Sequence, residues 1–344
     1  MFCFVDMNKL FLGVIKCFVV LLMLNVSGVV SAQWRPDSLG CGFEMRFVEQ
    51  GEDYSGRVRS TVVRHRAEGE SHRGVLYIHG YNDYFFQSEL GLRFAGQGYN
   101  FYAVDLRKYG RSLVVGQKPF QVRRFEEYFA DIDSALAVMR NDGCSEIVLI
   151  GHSTGGLAAA YYLAHNADAP VDVLMLNSPF LDWNLGGVER FVGAVSAMGK
   201  VFPNIPVSTG GGGVYEQAIS SEAYGEWNYN HAWKSTNYGV DLGWVRAVNN
   251  AQVYLREHRN SIKVPILLLY SARSSNPDVW SEEAMRTDVV LDVNDIRRYG
   301  VMLGENVTSA KVEGGMHDLF LSERRLREKL YDYVFWWLDE KLHR

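Results

Sequence analysis

The sequence contains no H-E-x-x-H pair and no cysteine cluster that would mark a metal site. It has no basic run that would offer a surface to nucleic acid, and its net charge is −5. No internal repeat points to a solenoid or propeller. Cysteine is scarce, with 4 in 344 residues. The balance of 47% hydrophobic and 22% charged residues is that of a globular protein, and one large domain carrying an insertion fits the length.

At the N-terminus, Lys9 and Lys16 precede the apolar run 17–24, and small residues follow, ending in Val30-Ser31-Ala32. This is the pattern of an export signal cleaved after Ala32, and it implies a secreted or periplasmic protein. The apolar run falls short of the ~20 residues a spanning helix needs. An uncleaved signal anchor is the alternative. Beyond residue 32 only Cys41 and Cys144 remain. In an oxidising compartment they could pair; otherwise they are two buried thiols.

From residue 33 on, short β-branched apolar runs alternate with helical patterns, the sign of a parallel sheet with crossover helices. Strands are expected at 75–79, 101–105, 147–150, 171–176, 266–270 and 307–312. Segments 42–48 and 58–65 read as antiparallel edge strands. Phe125, Tyr128, Ile132, Leu136 and Met139 recur at helical steps, as do Leu326, Leu330, Val334, Trp337 and Leu338. Both stripes are core-facing. The rhythm breaks at 179–263, which holds Pro203, Pro206, the glycines 210–213, many aromatics and a helical stretch around 244–255. The expected organisation is a core at 33–178, a cap insertion at 179–263 and a second part of the core at 264–344.

Residues 147–160 read Ile-Val-Leu-Ile-Gly-His-Ser-Thr-Gly-Gly-Leu-Ala-Ala-Ala. A strand runs into G-x-S-x-G and then into a helix of small residues, the context a nucleophile elbow requires. Ser153 is the expected nucleophile. A serine hydroxyl needs a base, and His317, after the last strand and a glycine turn, is in the chain position to supply it. Oxyanion donors are expected from the backbone N–H groups of Thr154, at the helix start, and Tyr81, after the strand 75–79. The acid should follow strand 266–270, but that strand ends in Ser271-Ala-Arg-Ser-Ser275 without one. Asp278, Asp288 and Asp292 lie further on. Asp288 is preferred, because its context leads into a helix, and 274–287 would then be an insertion. Asp292 is the alternative, and Asp182 a further candidate.

These residues resemble the monoacylglycerol lipase, lysophospholipase and serine aminopeptidase branch of the α/β-hydrolases. The matching pieces are His79-Gly80, residues 105–112 (Asp-Leu-Arg-Lys-Tyr-Gly-Arg-Ser), Gly151-His-Ser-Thr-Gly155, Asn177-Ser-Pro179, Val264-Pro265 and Gly314-Gly-Met-His-Asp318. The resemblance implies an α/β-hydrolase fold: a mostly parallel central sheet flanked by helices, with a helical cap insertion. It also implies hydrolysis of a small-molecule ester or lipid-like substrate with no metal or organic cofactor. Trp183, Phe191, Phe202, Tyr215, Trp227, Trp233 and Trp244 are candidates for an apolar slot in the cap, or for the cap's own core. Two rival functions stay open. One is a serine aminopeptidase, for which Glu189, Glu216, Glu222 or Glu226 would hold the substrate's α-amine. The other is a non-catalytic binding protein on the same scaffold.

Overall fold

The structure is a computed structural model and describes residues 33–187, 189–207, 213–234 and 239–342. The expected export signal, residues 1–32, lies outside them. The strands, in chain order, are β1 (Arg35–Pro36), β2 (Glu44–Asp53), β3 (Gly56–His65), β4 (Arg73–Ile78), β5 (Asn100–Asp105), β6 (Glu146–His152), β7 (Val173–Asn177), β8 (Pro206–Val207), β9 (Val240–Asp241), β10 (Ile266–Ser271) and β11 (Val307–Val312). The helices are α1 (Ser88–Gly96), α2 (Phe129–Asn141), α3 (Thr154–His165), α4 (Val192–Gly199), α5 (Gly213–Ile219), α6 (Leu242–Glu257), α7 (Val293–Gly300) and α8 (Arg324–Leu342).

Among the described residues, nine strands form one sheet in the order β1-β2-β3-β5-β4-β6-β7-β10-β11, and β8 pairs with β9 apart from it. From β5 to β11 all neighbours are parallel. The hairpin β2–β3 joins antiparallel through Thr61↔Asp105. Segment 58–65 is therefore not an edge strand: β3 is paired on both sides, and even β2 carries the two-residue β1 on its outer side.

The sheet is covered on both faces, which is why its strands are apolar at consecutive positions. Successive side chains of a strand point to opposite faces. Leu76, Ile78, Leu149, Leu174 and Leu268 pack on one side with α2, α3 and α6, while Val75, Tyr77, Val148, Met175 and Leu269 pack on the other with α1 and α8. The expected helical stripes are the packed ones: Ile132, Leu136 and Met139 face the first layer, and Leu330, Val334, Trp337 and Leu338 face the second.

Strand order places the site. The chain passes from β4 to β5 on one side, then crosses back so that β6 lies on the other side of β4. The carboxyl ends of β4 and β6 thus flank a crevice where the winding direction reverses, the usual place for a ligand in an open α/β sheet. No disulfide joins Cys41 to Cys144. Both are free thiols, Cys41 exposed in a turn at φ 48° and Cys144 buried. The expectation of two buried thiols also fails for Cys41.

Candidate active site

Ser153 stands between β6 and α3 at φ 53° and ψ −118°, a conformation costly for a residue with a Cβ. Close approach of backbones makes it possible. A Cβ at Gly151 would lie 2.5 Å from the Gly155 carbonyl, and one at Gly155 would collide with the carbonyl oxygens of Ile78 and His79. Strand, turn and helix therefore close on one another, and Ser153 is forced outward at the head of α3. The first N–H groups of a helix have no intrahelical acceptor, so Thr154 N–H is available there with the positive end of the helix dipole.

His317 comes from the loop between β11 and α8. Gly314, at φ 74°, turns the chain, the Ser271 hydroxyl donates to the Gly315 carbonyl at 2.6 Å, and Met316 N–H donates to Ser322 Oγ at 3.0 Å. This holds the imidazole with Nε2 3.1 Å from Ser153 Oγ and Nδ1 2.9 Å from Asp288 Oδ2. With the proton on Nδ1 donated to Asp288, Nε2 faces the serine hydroxyl as an acceptor. All three residues are buried.

Asp288 reaches this position although it lies far beyond the end of β10. The excursion 275–287 leaves and rejoins the chain at one point: Ser274 and Asp288 form a β-bridge, Ser275 N–H donates to the Asp288 carbonyl at 3.0 Å, and Asp288 N–H donates to the Arg273 carbonyl at 2.9 Å. The carboxylate is aimed by Val290 N–H and Leu291 N–H, which donate to Oδ1 at 2.9 and 2.8 Å. The other candidates go elsewhere. Asp292 caps α7 through Asn294 N–H, Asp182 pairs with Arg256 at 3.1 Å, and Asp278 is exposed in the excursion.

The loop after β4 closes the other side. A Cβ at Gly80 would stand 3.2 Å from Ser153 Cβ, so this turn abuts the serine. His79 fixes it: Leu106 N–H donates to Nε2 at 3.0 Å, which leaves the proton on Nδ1 to donate to the Gly80 carbonyl at 2.8 Å. Tyr81 follows, its ring packed on Phe120 and Trp244.

Sequence reasoning passed over a set of polar groups beneath His317. The buried Asp318 carboxylate accepts from Asn177 Nδ2 at 2.7 Å, Gln87 Nε2 at 2.5 Å and Phe320 N–H at 3.0 Å. Asp318 Oδ2 is also 3.8 Å from His152 Nε2. Burial holds the His152 imidazole below its ordinary pKa, against the opposing pull of Asp318. The adjoining pairs Asn177-Ser178 and His317-Asp318 were visible, but nothing in the sequence says that they meet.

Segment 179–263 runs from β7 to β10. Its last helix, α6, packs into the same layer as α3, whereas 213–233 joins Tyr84, Phe86, Ala284, Met316 and Leu321 in a separate apolar cluster. The aromatics divide accordingly. The Tyr215 ring stands edge-on to His317 at 5.4 Å, Trp227 and Trp233 pack on Phe86 and Tyr84, and Trp183 and Trp244 pack on each other. Phe191 and Phe202 are exposed. Of the four glutamates, Glu226 pairs with Arg327, Glu222 with His231, and Glu189 accepts from Leu185 N–H. The carboxylate of Glu216, half-buried and next to Tyr215, makes no hydrogen bond or ion pair among the described residues; burial raises its pKa against the opposing charges of Lys234 and His231. Among the described residues no group of three or more His, Cys, Asp and Glu is placed to hold a metal, and no helix is long and apolar enough to cross a membrane.

The family model described as serine aminopeptidase, S33 (Hydrolase_4) matches residues 69–321, well over half of the chain. The chain belongs to that family. Its fold is that of the α/β-hydrolases. A curated relative, the AB hydrolase superfamily protein YisY of Bacillus subtilis (strain 168), is 23% identical over 210 residues, which is 58% of this chain and 74% of YisY. The monoacylglycerol lipase of Paleococcus ferrophilus is 18% identical with a TM-score of 0.61, covering 87% of this chain and 99% of the lipase. A soluble variant of the monoglyceride lipase of Saccharomyces cerevisiae is 14% identical with a TM-score of 0.63, covering 86% and 96%. At these identities the structural likeness speaks to the fold.

Proposed function

We propose that this S33-family hydrolase is an exported serine esterase that cleaves carboxylic esters of small, lipid-like molecules through an acyl-enzyme. The reading is carried by one observation: an outward serine on a strained turn, hydrogen-bonded to an imidazole whose far nitrogen is held by a buried carboxylate. In this reading Ser153 Oγ attacks the ester carbonyl as its proton passes to His317 Nε2. Thr154 and Tyr81 N–H groups receive the oxyanion, and Asp288 steadies the imidazolium. His317 then protonates the departing alcohol. Water, deprotonated by the same nitrogen, attacks the acyl carbon, and the acid leaves with Ser153 restored. Segment 179–263 serves as the cap. A non-catalytic scaffold would draw support from the lack of a carboxylate directly after β10; Asp288, 2.9 Å from His317 Nδ1, favours the catalytic reading instead.

The test is hydrolysis of short p-nitrophenyl esters by the purified chain from residue 33 onward. Turnover should fall by at least about 10³-fold in Ser153→Ala, and unchanged turnover would refute the reading.

Glu216 favours a second reading, the aminopeptidase. A half-buried carboxylate that makes no direct ion pair, with Lys234 and His231 as its neighbouring positive charges and one residue from the ring edge-on to His317, is suited to a substrate ammonium. Aminoacyl amides against acyl esters separate the two. If the second reading holds, Glu216→Gln raises KM for the aminoacyl substrate alone.

A further inference from the structure

Asp83 is a buried carboxylate two residues beyond Tyr81, on the loop that abuts Ser153. A fixed negative charge so close would oppose the oxyanion that the proposed reaction forms. The residue before it, Asn82, is held at φ 50°, so this stretch stores strain and persists only where its surroundings over-determine it.

One side chain answers both needs. Lys234, on segment 179–263, is 7% exposed. Its Nζ lies 3.1 Å from Asp83 Oδ1 and 3.4 Å from the Asn82 carbonyl. The ammonium thus neutralises the carboxylate and bonds the strained turn on either side of one peptide unit. The rings of Phe86 and Tyr229, each 5.7 Å from Nζ, shield it from water. The same stretch grips the loop again: Asn230 N–H donates to Tyr84 Oη at 2.6 Å, and Trp233 packs edge-on against Tyr84 at 5.1 Å. Arg111, the nearest other cation over Tyr84, is taken up by Asp37 and Asp105 and does not reach Asp83.

We propose that Lys234 is a positioning residue for the oxyanion loop: it reaches across to Asp83 and the Asn82 carbonyl and holds the backbone carrying Tyr81 N–H in its working geometry. The proposal rests on the hydrolase reading above and adds that the oxyanion loop depends on the 227–234 stretch. Lys234 touches no reacting atom, so its loss should appear in kcat and in transition-state binding more than in substrate binding.

Two variants test this. Lys234→Met keeps the aliphatic stem but leaves Asp83 buried and unpaired, which threatens folding. The double variant Asp83→Asn with Lys234→Met removes the tether without stranding the Asp83 charge. In each folded variant kcat on a p-nitrophenyl ester should fall by about tenfold or more with KM within about threefold, since small displacements of catalytic groups carry costs of this order. A trifluoromethyl ketone inhibitor should weaken by the factor lost in kcat/KM, and Lys234→Arg should recover most of the loss. A role confined to stability would lower the unfolding midpoint and leave kcat untouched. A folded double variant with wild-type kcat would therefore overturn the proposal. Hydrogen exchange of the 80–86 amides reads the tether without catalysis: they should be protected in the wild type and faster in both variants. Unchanged exchange refutes the tether even where the wild type shows no turnover, an outcome that would instead count against the hydrolase reading.

Discussion

Asp288 and Ser274 form a β-bridge that pinches off the excursion between them and puts the Asp288 carboxylate 2.9 Å from His317 Nδ1. An acid delivered this way should behave as one directly after β10 would. Asp288→Asn should lower kcat by about 10²- to 10⁴-fold with little change in KM, because the imidazole loses its preferred tautomer and the support of its charged form. Asp278→Ala and Asp182→Ala should keep kcat. Asp292→Ala should keep it too, at a cost of about 1 kcal/mol in stability from the lost cap of α7. Steady-state kinetics and urea unfolding of the four variants check this, and a larger kcat loss in Asp292→Ala than in Asp288→Asn would contradict it.

Much of this arrangement was legible in the sequence, because it rests on local chemistry. The elbow at 151–155, the glycine turn before His317 and the alternation of strands with helices are each written in a few adjacent residues. The carboxylate that meets His317 was harder. Its position depends on Ser275 N–H and Asp288 N–H closing the neck of a loop, and hydrogen bonds between distant backbone groups leave no residue signature. Asp318 and Lys234 were harder still: their partners Gln87 and Asp83 lie 231 and 151 residues away in the chain. The divided fate of the aromatics follows from packing. Phe191 and Trp244 read alike in sequence, yet one is exposed and the other buried.

Gly155 gives a test of the elbow itself. A Cβ there would meet the Ile78 and His79 carbonyls, which belong to a buried strand end and cannot move aside as a side-chain tip would. Gly155→Ala should therefore destabilise the fold by about 2 kcal/mol or more, within the range for overpacking a tight core. It should also lower kcat by pushing Ser153 out of line. Gly193→Ala on α4, where nothing lies within 4 Å, should do neither. Urea midpoints of the two variants decide it, and equal midpoints would mean that the close approach is not a constraint.

His152 predicts a pH dependence of stability. Burial depresses its folded pKa below the ordinary 6.5. Between the two values the unfolded chain binds more protons, so stability rises with pH across that window. The contribution is complete above the unfolded value and is lost as pH falls toward the folded one. Unfolding midpoints at pH 7.5, 6.5 and 5.5 should drop more steeply in the wild type than in His152→Gln. Parallel slopes would show that His152 is not held neutral.

The most direct measurement is labelling of the native protein with a fluorophosphonate, followed by peptide mapping. A serine deprotonated by an assembled His–Asp pair reacts at phosphorus and expels fluoride, whereas an ordinary hydroxyl does not. The account predicts one adduct, on Ser153, abolished in Ser153→Ala and strongly slowed in His317→Ala and Asp288→Asn. No adduct on folded wild-type protein, or one on another serine, would contradict it.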